Sequence, residues 1–221
     1  MHDTYLHRLK QHCEQRCIAL SAVQLERLAQ YVDSLLQWRR TLNLSGVRHA
    51  EGVIDVLVAE SLDFLQPEVL GRGARVLDLG TGAGVPGIPL AICAPDVHVT
   101  LLDRSEKKVT FLRHVLPRLD LQNCQPLCDT AEALARRLPP CQHFDVVVTR
   151  GVGRVAKLLS LAAPLLRPGG QLLLRKPRGT PELREAAPFL VAQIWTAYRI
   201  VPVFPQAQTA WVLLIATRSV E

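Results

Sequence analysis

The residues best suited to chemistry form one string, Asp78-Leu79-Gly80-Thr81-Gly82-Ala83-Gly84-Val85-Pro86-Gly87-Ile88-Pro89. It follows a short apolar run, Arg75 to Leu79, and leads into residues of helical character. Glycines at such a junction let the backbone turn tightly and approach a ligand closely. The amides that open the following helix are free to bind it. Two fingerprints overlap in the string. Gly82-x-Gly84-x-x-Gly87 fits a dinucleotide loop, while Gly80-x-Gly82-x-Gly84 fits the loop that cradles S-adenosylmethionine.

Three features favour the second. Asp78 ends its strand just before the glycines, where a carboxylate can engage the ammonium of a methionine moiety, directly or through water. Beside a pyrophosphate the same charge would be unfavourable. Asp103 ends the second apolar run, Val97 to Asp103, and can accept from both hydroxyls of a ribose. That role is common to both cofactor classes. The third feature is a terminal pair of β-rich runs, 196–204 and 210–217, split by Pro205-Gln206-Ala207-Gln208, which predicts a hairpin foreign to the plain nicotinamide-binding arrangement. After the third strand, Asp129-Thr130-Ala131-Glu132 lies where an adenine would sit; capping of a helix by Asp129 or Thr130 is the other reading.

The elements that must position these groups are legible in the periodicity. Leu6, Leu9, Cys13 and Cys17 follow helical spacing, and Ser21-x-x-Gln24 opens a second helix whose stripe is Leu25, Leu28, Val32, Leu35 and Leu36. A third helix is expected over 50–66. Strands are expected at 75–79, 97–103, 124–128, 144–149 and 171–175. Helices are expected at 86–94, from Ser105 through Leu119, at 131–138, at 154–166 and at 181–193. A turn at Arg167-Pro168-Gly169-Gly170 should introduce the fifth strand. This βαβα series implies an α/β fold with a parallel sheet and helices on both faces. With the glycine loop, its acids and the terminal hairpin, the expectation is a Rossmann-like class I methyltransferase: a mainly parallel seven-stranded sheet, a C-terminal antiparallel hairpin and an N-terminal helical extension. The expected division is residues 1–70 for the extension and 71–221 for the S-adenosylmethionine-binding domain.

Composition narrows the partners. The net charge of +6 suits an anionic partner such as nucleic acid or an acidic membrane surface, and equally an ordinary solubilising surface. Between Arg150 and Arg184 there are eight basic residues and one acid, Glu182, and several follow the fourth and fifth strands, where substrate should approach. Arg154, Lys176 and Arg178 are the candidate contacts in this run to an anionic substrate such as a nucleic acid. The six cysteines lack C-x2-C spacing, so no metal site is expected. The N-terminus lacks the apolar core of a signal peptide and no run is long enough to span a bilayer, so a cytoplasmic protein without a membrane partner is expected.

The sequence resembles the bacterial small-subunit (16S) ribosomal RNA guanine-N7 methyltransferases, also called glucose-inhibited division protein B. The resemblance is carried by Asn43-Leu44-Ser45, the string Asp78 to Pro89, Leu101-Leu102-Asp103, Lys107-Lys108-Val109-x-Phe111-Leu112, Phe144-Asp145 and Thr149-Arg150. It implies S-adenosyl-L-methionine as cofactor, contacts to it at Gly80, Val85, Ala131, Glu132 and Arg150, and transfer of methyl to N7 of one guanine in 16S ribosomal RNA or the small subunit. Asn43 and Ser45 join the candidate substrate contacts. Several positions depart from the family pattern: Val56, Leu57 and Glu60 replace an Arg-His pair and an Asp, Thr130 replaces an Arg, Lys176-Pro177 replaces Lys-Gly, and an Arg is missing from Gln208 to Val212. The departures spare the cofactor loop and fall on the RNA side.

Guanine N7 carries a lone pair and no proton, so attack on a sulfonium methyl requires no general base; alignment suffices. No catalytic acid or base is therefore nominated, though Arg150, at the end of the fourth strand, could bridge cofactor and guanine or hold phosphate. An ion pair to Asp78 or Asp103 is its plainer role. A monomer is expected. The alternative reading is a methyltransferase of the same fold acting on another RNA, a protein or a small molecule.

Overall fold

The computed structural model describes residues 2–40, 49–150, 153–185, 188, 194–203 and 211–220. Seven strands form one sheet: β1 (Arg75–Leu79), β2 (His98–Asp103), β3 (Cys124–Cys128), β4 (Phe144–Arg150), β5 (Leu166–Pro177), β6 (Trp195–Pro202) and β7 (Trp211–Arg218). Their order is β3-β2-β1-β4-β5-β7-β6. β1 to β5 pair in parallel, and β7 runs antiparallel between β5 and β6. The expected fold class is the one observed.

Strand periodicity sorts the core into two layers, because successive side chains leave a strand on opposite faces. Val76, Val99, Leu101, Val146, Val148, Leu173, Leu213 and Ile215 belong to one cluster. Leu77, Leu102, Val147, Leu172, Leu174, Leu214 and Ala216 belong to the other. α1 (His2–Gln15), α2 (Ala22–Trp38), α4 (Gly87–Cys93) and α5 (Glu106–Arg118) cover the first face, and α6 (Ala131–Arg137) and α7 (Val155–Ala162) the second. The N-terminal helices have no core apart from the sheet: Tyr5, Leu9, Leu28 and Leu35 share one cluster with the strands.

The Ser21 capping box forms at the start of α2: the Ser21 hydroxyl accepts from Gln24 N, and Gln24 Oε1 from Ser21 N. Such a cap contributes about 1 kcal/mol. Three local expectations are corrected. The helix expected over 50–66 is not a regular α-helix; a short α turn, α3 (Ala50–Gly52), passes into a π stretch, Val53–Val58, and a 3-10 stretch, Ala59–Phe64. The change of winding lets Ile54, Leu57, Val58, Leu62 and Phe64 all reach the core. The helix expected over 154–166 is α only to Ala162 and ends in a 3-10 turn, Ala163–Leu165, where Pro164 cannot donate to the ladder.

The third correction concerns Arg167-Pro168-Gly169-Gly170. Instead of a turn ahead of β5, it is an irregularity within that strand: Leu166 pairs with Phe144, and pairing resumes at Gln171 with Val146. Gly169 adopts φ +74, and a Cβ on Gly170 would lie 2.9 Å from the Arg167 carbonyl oxygen. Of the helix expected over 181–193, α8 (Pro181–Glu185) is described, and most of the remainder lies outside the described residues. The hairpin forms as β6 and β7; its connection, 204–210, also lies outside them.

An ion network joins the N-terminal layer to the sheet. Arg16 Nε and Arg175 Nε donate to the two oxygens of Asp63 at 3.0 and 2.8 Å, and Arg175 also meets Glu60 at 2.9 Å. The Asp63 side chain is fully buried. Burial pushes its carboxyl up, and the two arginines oppose that rise.

Candidate active site

Strand order reverses at β1, with β2 and β3 on one side and β4 and β5 on the other, which makes the carboxyl end of β1 the switch point where open α/β sheets bind ligands. The glycine loop leaves the sheet there. Gly80, Gly82 and Gly84 all have positive φ: 72, 61 and 95°. Gly84 and Gly87 also lack space for a side chain. A Cβ on Gly84 would stand 2.5 Å from Ile88 Cδ1, and one on Gly87 would stand 2.2 Å from Leu101 Cδ2 and 2.7 Å from Asp78 Oδ2.

Two carboxylates hold the loop from below and beside. Asp78 Oδ2 accepts from Thr81 Oγ1 at 2.6 Å and from Gly87 N at 2.7 Å. Asp78 is fully buried, and burial pushes its carboxyl up to about 7 against the pull of those donors and of Arg150. Its other oxygen, Oδ1, is buried without a hydrogen-bond partner. Asp103 Oδ2 accepts from Gly82 N at 2.9 Å and from Lys108 Nζ at 3.4 Å; Oδ1 accepts from Ser105 N at 3.0 Å. Val85 N donates to the Thr81 carbonyl at 3.0 Å, closing the turn. The N-terminal layer adds a third support. Tyr31, fully buried, donates its hydroxyl to the Ala83 carbonyl at 2.6 Å.

Above the loop a cavity of about 370 Å3 opens at the sheet edge. Gly80, Asp103, Ala131 and Glu132 line it together with Lys108 and Leu158. Four of the nominated cofactor residues therefore meet on one wall. Asp78, Gly82, Gly84 and Val85 lie behind that wall and shape it. Thr130 caps α6 by accepting from Ala133 N at 3.1 Å, so the capping reading describes its side chain, while Asp129 Oδ2 is held by Arg137 at 2.6 Å. Volume, one polar wall and the apolar Leu79, Leu158 and Leu161 suit a nucleoside-bearing ligand. The unpartnered Asp78 oxygen suits a cationic group on it.

Arg150 does not line this cavity. It shares the face of Val146 and Val148, opposite Leu158, and its guanidinium donates to the Val56 and Leu57 carbonyls, with Glu60 at 3.7 Å. The ion pair expected with Asp78 or Asp103 is made with Glu60 instead. Lys176 is likewise engaged, by Glu182 at 2.9 Å and the Gly153 carbonyl at 3.1 Å, which makes it a staple between β5, α8 and the loop after β4. Arg154 and Arg178 are exposed. Asn43 and Ser45 lie outside the described residues. Sequence reasoning did not single out Tyr31 or Lys108 as site residues. Lys108 stands one turn into the helix after Asp103, a position that points back at the acid. Tyr31 gives no local signal, since its partner is 52 residues away.

Strand order, a glycine loop after β1 and an acid closing β2 define a Rossmann-like, S-adenosylmethionine-dependent methyltransferase. Within that class the chain belongs to the family described as rRNA small subunit methyltransferase G, whose model matches residues 24–194. It is 39% identical over 168 residues to the ribosomal RNA small subunit methyltransferase G of Lachnoclostridium phytofermentans, covering 76% of this chain and 69% of that one. The Chromobacterium violaceum protein of the same name is 38% identical over 76% of this chain and 78% of its own length. A SAM-dependent methyltransferase structure from Aquifex aeolicus shares the fold, with TM-score 0.56 and 19% identity over 75% of this chain and 92% of that one. A Streptococcus mutans methyltransferase structure in complex with SAH aligns at TM-score 0.50 and 16% identity, over 72% of this chain and 94% of that one. Among the described residues no helix is long and apolar enough to cross a membrane.

Proposed function

We propose that this chain transfers a methyl group from S-adenosylmethionine to N7 of a guanine in small-subunit ribosomal RNA. The observation that carries the reading is the cavity at the switch point, with Asp103 on its wall and the glycine loop behind it, in a chain whose residues 24–194 fit the family. S-adenosylmethionine, when bound there, supplies a methyl already activated on a sulfonium. Asp103 would hold the ribose: its three donors leave Oδ1 with acceptor capacity for a hydroxyl. Ala131 and Glu132 stand where an adenine edge would be read, and Leu158 and Leu161 keep water from the apolar side. Asp78 orders the loop through Thr81 and Gly87 and keeps one oxygen for an ammonium.

The target atom has no proton to lose, so these residues position and need not move protons. Arg104, Lys108 and Lys157 at the cavity rim, with Arg154 beside it, draw in RNA phosphate. In this reading Arg150 positions the segment that carries Val56, Leu57 and Glu60 against the end of β4. Within residues 1–70, α1, α2 and the helical run from Ala50 to Phe64 form a cover on the domain assigned to 71–221. The enzyme works as a monomer in the cytoplasm. Mapping N7-methylated guanines in ribosomal RNA from cells with and without the protein tests the proposal. One guanine in small-subunit RNA should lose its mark in the absence of the protein. An unchanged map would overturn the reading.

A further inference from the structure

A second concavity, of about 480 Å3, lies at the same sheet edge as the cofactor cavity, between the Arg178-Gly179 turn, α8 and the hairpin. Its apolar surface comes from Tyr198 and Ile200 of β6, with Leu183 and Val212. Arg178 and Arg184 stand on its rim. Tyr198 and Ile200 are each 46% exposed and, two residues apart, stand on one face of β6.

Register fixes where this groove faces. Tyr198 pairs with Ala216 and Ile200 with Leu214, residues of the layer that also holds Leu79, Leu102 and Leu158. Groove and cofactor cavity therefore share one face of the sheet. Arg199, between them in sequence, points to the opposite face and pairs with Glu68 at 2.9 Å. β6 runs parallel to β5 through β7, so its Pro202 end and the Pro177 end of β5 lie at the cavity edge. Three strand spacings separate β4 from β6, roughly 14 Å. α7, which Arg154 caps and which carries the exposed Lys157 of the cofactor cavity, packs against α8 at the groove. Neither Arg178 nor Arg184 forms an ion pair among the described residues, whereas Lys176 beside them does.

Resting on the ribosomal RNA reading above, we infer that this groove receives an unpaired nucleotide flanking the target guanine, its base against Tyr198 and Ile200 and its phosphate on Arg178 and Arg184. An aromatic ring with an arginine rim matches a nucleotide, whose base offers an apolar face and whose phosphate is anionic. The occupant is a strand of the same RNA because the cationic surface runs from the cofactor cavity to this groove along one edge. The groove fixes the strand beside the target, so that the target base is held over the cofactor site.

The test uses the full chain, transcribed small-subunit RNA and assembled small subunits, whichever the wild type methylates. Tyr198→Ala should weaken RNA binding about tenfold, while Tyr198→Phe retains it and both bind S-adenosylmethionine as the wild type does in calorimetry. The Arg178→Ala/Arg184→Ala double variant should reduce the slope of log affinity against log salt by roughly 0.7, the value for one lost phosphate contact on a single strand. Wild-type affinity in Tyr198→Ala, or equal loss in Tyr198→Ala and Tyr198→Phe, would overturn the groove assignment while leaving the methyltransferase reading intact. A wild-type protein that methylates neither substrate would overturn both.

Discussion

The Tyr31 hydroxyl reaches across from α2 to the Ala83 carbonyl at 2.6 Å, inside the core, and so ties the N-terminal helical layer to the glycine loop. The ring is fully buried, and burial pushes its phenol well above its ordinary value, so it acts only as a neutral donor. Removing the hydroxyl leaves a buried carbonyl without that partner, at a cost of about 1–3 kcal/mol. Tyr31→Phe should lower stability by this amount in urea unfolding and weaken S-adenosylmethionine binding several-fold in calorimetry. Unchanged cofactor affinity would show that the loop holds its shape without α2.

The loop glycines differ in what they exclude. Gly87→Ala drives a methyl into Leu101 and the Asp78 carboxylate, both packed against the loop. A loss of 2 kcal/mol or more is expected, in the upper range for overpacked cores, with cofactor binding reduced. Gly71→Ala meets nothing within 4 Å and has no positive φ, so it should leave stability within about 0.5 kcal/mol of wild type. Equal effects of the two substitutions would contradict the geometry.

Asp63 links Arg16 of α1 to Arg175 of β5, and all three side chains are nearly or fully buried. Asp63→Ala leaves Arg16 without this carboxylate in the interior and should cost about 3–5 kcal/mol. Urea unfolding measures it directly. A loss below 1 kcal/mol would mean that the network is solvated.

Asp78 gives stability a definite pH dependence. Its folded carboxyl titrates near 7, against an ordinary value of 3.8. Between those limits the folded chain binds more protons than the unfolded one, so this group's contribution falls as pH rises toward 7. The isosteric Asp78→Asn removes the effect. The stability difference between wild type and variant, measured by urea unfolding from pH 5 to 8, should shift against the wild type as pH rises. A difference that does not vary with pH would refute the raised value.

Much of this architecture is written locally. The glycine string, Asp103 at a strand end and alternating apolar runs are short-range signals, and each lies where expected. What escaped the sequence depends on partners far along the chain. Asp63 meets arginines 47 and 112 residues away, and nothing in its apolar neighbourhood marks it as buried. Arg150 stands at the strand end that the sequence indicates, yet its direction follows from strand parity and from backbone carbonyls of a π stretch that helical periodicity cannot foresee. The glycine pair at 169–170 reads as a turn because a strand irregularity uses the same residue types.

The account stands on a nucleoside cavity whose ribose acceptor is Asp103. Titration of the purified chain with S-adenosylmethionine in a calorimeter tests it most directly, with Asp103→Ala in parallel. One equivalent should bind to the wild type, and binding should weaken at least tenfold in the variant while its far-ultraviolet circular dichroism stays native. No heat of binding in the folded wild type, or equal affinity in the two proteins, would contradict it.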